Sequence, residues 1–539
     1  MRRVLFLSPI VLVLLSVAAA AQDHAHPRNE QLGTVHFATS CTTPAQAQFD
    51  RAVSLLHSFE FGEAMVAFDA ALKLDPACAM TQWGIALSRW SNPFTVGTRS
   101  AAQVQQGEAA VERRRAIGAR TARERAYLDA AAHLYVDADK RPQRARVEAY
   151  RDAMGQLTRD YPDDTEAAIF HALSLTAAED LNDKTYVSRL QAVGILEPLF
   201  ARHPDHPGLA HYLIHSYDVP ALASRALAAA KRYAQIAPSA PHALHMPSHT
   251  FTRVGSWQES IDTNIRSAEA AVREGTFGEA LHAMDYQVYA YLQTGQDRAA
   301  RRVIQEEAPK VLAKLDLNAM GGAAPPMAGL YAANAIHARY AMERGAWDEA
   351  AALQPQASPF PFVDAIARFA RAIGAARSGR PDAAKADVAE LKTLGEKLAA
   401  MKDAYWAEQL GIQQQVASAW IVFAEGRKAE AVELLRKGAD AEDATDKSAI
   451  SPGPLAPARE LLGEMLLAVD RPADALKELE AAMKKEPNRF RATYFAAKAA
   501  SASGNTAAAR KYLAQLVEIC KAGDKPGRPE LQEARKPRT

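Results

Sequence analysis

The sequence predicts an all-α protein, a solenoid of about nine or ten helical hairpins stacked side by side. Three observations predict it. Alanine-rich stretches such as Ala226-Leu227-Ala228-Ala229-Ala230 and Ala496-Ala497-Lys498-Ala499-Ala500 favour helix along the whole chain. The 28 glycines and 29 prolines among 539 residues are too few for the many turns of an all-β protein. A spacing of small and large residues also recurs from one end to the other.

Composition narrows the function. With 48% hydrophobic and 24% charged residues the chain is that of a folded protein, not a disordered one. Lys+Arg 64 against Asp+Glu 63 leaves a net charge of +1, without the basic excess of a nucleic-acid binder. Three cysteines exclude a disulfide scaffold or cysteine-rich metal knuckles.

The chain begins with an address. Met1-Arg2-Arg3 is basic, Val4 to Val17 is an apolar run of fourteen residues, and Ala18-Ala19-Ala20-Ala21 offers small residues for cleavage. Residues 1–21 therefore read as a signal peptide, with an uncleaved anchor as the alternative. No later segment is long and apolar enough for a membrane span, so the expected destination is the periplasm or the exterior, with no membrane contact after cleavage. Cleavage before Gln22-Asp23-His24 would expose an amine and a third-position imidazole that can hold copper. Residues 22–44 form an N-terminal tail. Cys41 and Cys78 flank one hairpin, and in an oxidising compartment a disulfide between them would pin that tail to the first repeat. Two buried thiols are the alternative; Cys520 is left over, packed in the last helix.

The repeat is clearest at two places. Ala64, Phe68, Ala71 and Pro76 have the same spacing as Ala475, Leu479, Ala482 and Pro487, with Leu462-Gly463 and Leu466 upstream of the second set. Small residues let antiparallel helices approach, large ones fill the gaps between hairpins, and proline ends the second helix. This resembles the tetratricopeptide repeat, whose period is about 34 residues. Ala226, Ser260, Ala300, Ala350, Ala384, Ala431, Ala475 and Ala509 mark equivalent positions, spaced 34, 40, 50, 34, 47, 44 and 34 apart. Thr294-Gly295, Arg344-Gly345 and Ser378-Gly379 read as tight turns inside hairpins. The register between 100 and 170 is indistinct. Pro325-Pro326 and Ser451-Pro452-Gly453-Pro454 read as loops between hairpins. The expected division is a first solenoid over 45–320, a second over 327–520, and a disordered tail over 521–539.

The histidines carry the functional signal. His211 and His215 lie four apart, as do His245 and His249, and each pair is displaced from the other by 34 residues. Two adjacent first helices thus present the same pair at the same height. By resemblance to the repeat family, these positions face the concave groove. Asp218 and His242 stand close in sequence, while His171, His282 and Asp285 come from neighbouring hairpins. His57, beside Leu55-Leu56, reads as core or rim. Three readings compete. Imidazoles at this spacing can hold zinc or copper, with Asp218 and His242 joining His211, His215, His245 and His249 as ligands or orienting groups. The same wall, with Tyr212, Tyr217, Phe251, Arg253, His171, His282 and Asp285, can instead bind a peptide or small anion. Or the rings are satisfied internally by carbonyls and Asp218.

The block Ala237 to Gly255, together with His36 to Cys41, Cys78 to Ala86 and Trp90 to Phe94, is similar to a group of exported bacterial tetratricopeptide-repeat proteins without an assigned reaction. That resemblance implies a binding scaffold for a protein or peptide partner, with no cofactor certain beyond a candidate zinc or copper. No phosphate loop, Gly-x-Ser-x-Gly elbow, Cys-x-x-Cys or His-Glu-x-x-His motif is present. The enzymatic alternative is a metal-dependent hydrolase using Asp218 or Asp285 as base.

Overall fold

The computed structural model describes residues 30–95, 97–319 and 322–536. The signal-peptide segment and Gln22-Asp23-His24 lie outside the described residues. No strand occurs among them, and none of their helices is long and apolar enough to cross a membrane.

Successive helices pair into hairpins, beginning with Thr43–His57 and Phe61–Leu74 and ending with Phe490–Ala502 and Thr506–Ile519. Paired in this way, the described helices give twelve hairpins, more than the nine or ten expected. The indistinct stretch supplies part of the excess: Ala101–Ile117, Ala122–Ala132, Gln143–Asp160 and Thr165–Ala177 are separate helices. Ser100 with Gln103, and Thr121 with Glu124, close reciprocal N-terminal caps there. Charge masked their short apolar stripes. The expected turns at Gly295, Gly345 and Gly379 hold positive φ angles of 66°, 66° and 75°, which glycine adopts without a Cβ clash.

Cys41 and Cys78 are joined by a disulfide with their Cα atoms 5.1 Å apart. It fixes the extended N-terminal segment, whose Phe37 is buried against Phe49, Trp83 and Tyr127. The other end differs from expectation. The tail from 521 is ordered through 536, with a helix at Pro529–Ala534. Arg528 pairs with Asp297 at 2.6 Å and donates to the Leu292 and Glu343 carbonyls, while Leu531 is buried. The segment thus supplies donors to carbonyls at two helix C-termini.

The solenoid curls so that its two halves touch. Arg339 and Asp285, both fully buried, pair at 2.7 Å, and Arg339 also donates to Ser451 and to the Gly453 and Pro454 carbonyls. The Ser451–Pro454 loop between hairpins therefore enters the interior. Ahead of it, Lys447 reaches Asp218 and Tyr286, each at 3.4 Å.

Candidate metal centre

Three neighbouring first helices build the site: Pro207–Ser216, the run from Pro241 to Arg253, and Phe277–Gln293. Pro247 splits the middle one into Pro241–His245 and Pro247–Arg253. Met246 between them keeps right-handed helical angles, so the axis continues and His245 stays on the face of His249. Their Nε2 atoms are 3.1 Å apart.

One ring nitrogen each from His211, His215 and His242 falls within 4.8 Å of the others. His211 Nδ1 donates to the His57 carbonyl at 2.6 Å, and His242 Nδ1 to Glu279 at 2.8 Å. In a neutral imidazole the second nitrogen then holds a lone pair. Nε2 of His211, His215 and His242 is buried without a hydrogen-bond partner among the described residues. Burial, reinforced by the neighbouring imidazoles, holds all three rings well below the ordinary pKa of 6.5. They are neutral, the form that binds metal.

The turn of the first hairpin supports this group. Phe59 sits in the left-handed region at φ 60°, unusual for an aromatic residue. Its ring lies 4.4, 5.7 and 5.8 Å from those of His211, His242 and His215. Glu60 accepts the His242 N–H at 3.1 Å.

His245, His249 and His282 form a second such group, with one ring nitrogen each within 4.8 Å of the others. Asn264 donates its amide to the Ser260 carbonyl, which leaves Oδ1 to accept from His245 Nδ1 at 2.7 Å. Asp218 accepts from His249 Nδ1 at 2.9 Å. Burial would raise the Asp218 carboxyl, but Lys447, Arg253 and His249 hold it well below the carboxylate range. Burial lowers the His245 pKa to about 3 and depresses His249 and His282 as well.

Of the carboxylates proposed from sequence, neither stands free. Asp218 is occupied by His249, Arg253 and Lys447, so in this arrangement it orients the His249 ring. Asp285 is consumed by Arg339. The groove residues also resolve differently. Tyr212 bonds His57, Tyr217 donates to Glu197, and Phe251 is core. Arg253 serves Asp218. His171 is elsewhere, half-buried beside Gly155 and Arg159. Around Asp218 the reason is that the C-terminal segment at Lys447 packs against this face and encloses it. What remains open is a cavity of about 720 Å³ bordering His215 and Asp218, walled also by Phe94, Arg189, Tyr405 and Lys447.

A third histidine group behaves differently. His57 and His206 each donate Nε2–H to one oxygen of Glu166 at 2.9 Å. Tyr212 meets His57 Nδ1 at 2.9 Å, and Gly208 leaves the room this ring needs. Burial opposes ionisation of Glu166, yet the two imidazoles hold it below its ordinary value. The carboxylate thus takes both ring N–H donors.

Sequence reasoning missed Phe59, Glu60, Asn264, Glu279, Tyr286 and Lys447. Asn264 had a readable signal: a polar residue on the helix face that also carries Ile261, Ala268 and Ala271.

Residues 466–519 match the tetratricopeptide repeat family, in the hairpins whose spacing is most regular. That segment is a tetratricopeptide repeat, and the hairpin array around it is of the same helical-hairpin kind. No curated protein matches the sequence. Among solved structures, the human IFIT1 dimer with m7Gppp-AAAA is similar at a TM-score of 0.39 and 10% identity, over 83% of this chain and 90% of that one. Naa15/Naa10 bound to HypK-THB gives 0.21 and 14%, over 91% and 70%. The TPR domain of P58(IPK) gives 0.20 and 13%, over 76% and 100%. At these scores the likeness transfers nothing further. Tetratricopeptide arrays in general are interaction scaffolds with extended binding surfaces.

Proposed function

We propose that this is an exported tetratricopeptide-repeat scaffold that binds a transition metal inside the array, at His211, His215 and His242. The observation that carries the reading is the set of three buried Nε2 atoms without partners, two of them fixed as lone pairs by the donors on the same rings. Buried polar atoms are normally satisfied, and three convergent exceptions call for a shared partner. Two of the rings give Nδ1–H to a carbonyl and a carboxylate, the outer hydrogen bonds that orient metal-binding histidines. Three imidazoles suit zinc or copper and leave a fourth position open toward the cavity. The basic start and apolar run support export. A protein or peptide partner belongs on the remaining outer surface, since the histidine wall is enclosed.

Elemental analysis of the purified mature chain tests this. Bound zinc or copper is expected, with one equivalent lost in the His211→Gln/His242→Gln variant. A metal-free protein whose unfolding temperature ignores both added metals would sink the reading.

A further inference from the structure

We infer that His245, His249 and His282 hold a second transition ion, so that six histidines form one dinuclear centre; this rests on the single-site reading above. The decisive observation belongs to the second group alone. The amide orientation of Asn264 makes its Oδ1 an acceptor, and the ionised Asp218 can only accept. Both His245 and His249 must therefore donate through Nδ1. In neutral rings both Nε2 atoms then carry lone pairs, yet these atoms face each other at 3.1 Å. Two lone pairs at that separation repel unless a proton or a metal cation lies between or beside them. Such a separation suits two donors sharing one ion at about 2.0–2.1 Å each. Tyr286 OH stands 3.4 Å from His249 Nε2 and does not address His245 Nε2. His282 supplies the third imidazole: its ring centroid is 4.5 Å from that of His245, and its Nδ1 is buried without a partner among the described residues.

The two groups are contiguous. Ring centroids of His215 and His249 are 5.9 Å apart, as are those of His242 and His245. Paired ions in two-metal sites sit about 3.5–4 Å apart and act on a shared ligand. The Glu166 group is excluded, because its carboxylate already takes both imidazole N–H donors.

The test is titration of metal-free mature protein with Cu(II), followed by equivalents bound and by electron paramagnetic resonance. Two equivalents are expected, with signal intensity well below the copper content because neighbouring ions couple. His282→Ala should bind one equivalent and show an isolated signal of full intensity. One equivalent in the unsubstituted chain overturns the dinuclear inference and spares the single site; none overturns both. Two equivalents with full, uncoupled intensity also overturn it, as independent sites. Should His282→Ala not fold, the coupling measured in the unsubstituted chain decides alone.

Discussion

The hairpins between 207 and 293 and those between 361 and 519 share one scaffold but bury different chemistry. In the C-terminal group, buried charges are matched by buried charges. Arg489 pairs with Glu343 and Glu460 at 2.5 and 3.0 Å, and Arg491 pairs with Glu464 at 2.6 Å. The rest of that interior is apolar, built mainly of alanine, leucine, isoleucine, valine and aromatic side chains. The N-terminal group instead buries neutral donors with lone pairs left over. Of the 15 histidines, only His337 lies beyond residue 282. Matched ion pairs complete a fold, whereas neutral donors facing one another leave lone pairs over. The same repeat thus makes one half closed by ion pairs and one half that, on the proposed reading, a metal completes.

Acid should separate the halves most strongly. The folded pKa values of the buried histidines lie below 6.5, that of His245 near 3. Below 6.5 the unfolded chain takes up protons that the folded interior refuses, so stability is full above that value and falls as pH drops toward 3. Each histidine costs about 1.4 kcal/mol per pH unit in that window. Hydrogen exchange at falling pH should show amides of 207–293 opening before those of 361–443. A stability that stays flat between about pH 7 and 5 would break the comparison. Saturating zinc or copper should resist the loss, since protons and metal compete for the same lone pairs.

The junction comes next. Asp285→Ala leaves the Arg339 guanidinium buried and unpaired, a change that costs about 3–5 kcal/mol. Because Arg339 also anchors the Ser451–Pro454 loop, denaturant unfolding should show the loss, and proteolysis should reach the segment around Lys447. Intact resistance there would mean that the halves hold together without this pair. Removal of the disulfide by Cys41→Ser/Cys78→Ser is smaller, about 2–4 kcal/mol, and confined to the first hairpins. Thermal unfolding with and without reductant measures it, and a variant that melts with the unsubstituted protein would deny the bridge a structural role.

These comparisons also show what sequence can carry. The hairpin array was legible because packing positions repeat, and the in-register histidines were legible because an identical pair recurs 34 residues later. Burial of the site was not legible. It depends on Lys447 lying beside Asp218, residues 229 apart in the chain, and a repeat pattern says nothing about how far a superhelix closes. The fates of Asp218 and Asp285 were hidden for the same reason, since Arg253 and Arg339 come from other helices and Lys447 from the stretch after Lys428–Asp443. Phe59 was hidden because its role rests on a backbone angle.

The smallest effect tests whether the two halves are alike beneath this difference. Gly84 and Gly463 each mark a close helix approach, one in each half. A Cβ on Gly84 would fall 2.1 Å from the Phe68 ring, and one on Gly463 would fall 2.4 Å from Leu479. Both neighbours are fully buried, so neither has open space to enter. An aromatic ring is rigid, whereas leucine can change rotamer. Overpacking costs about 1–3 kcal/mol, and Gly84→Ala should lie at the upper end of that range and Gly463→Ala at the lower. Urea unfolding of both variants, each with metal bound, reads the difference. Equal losses would mean that backbone shifts absorb the extra methyl in both halves, and the contrast would then rest on the histidines alone.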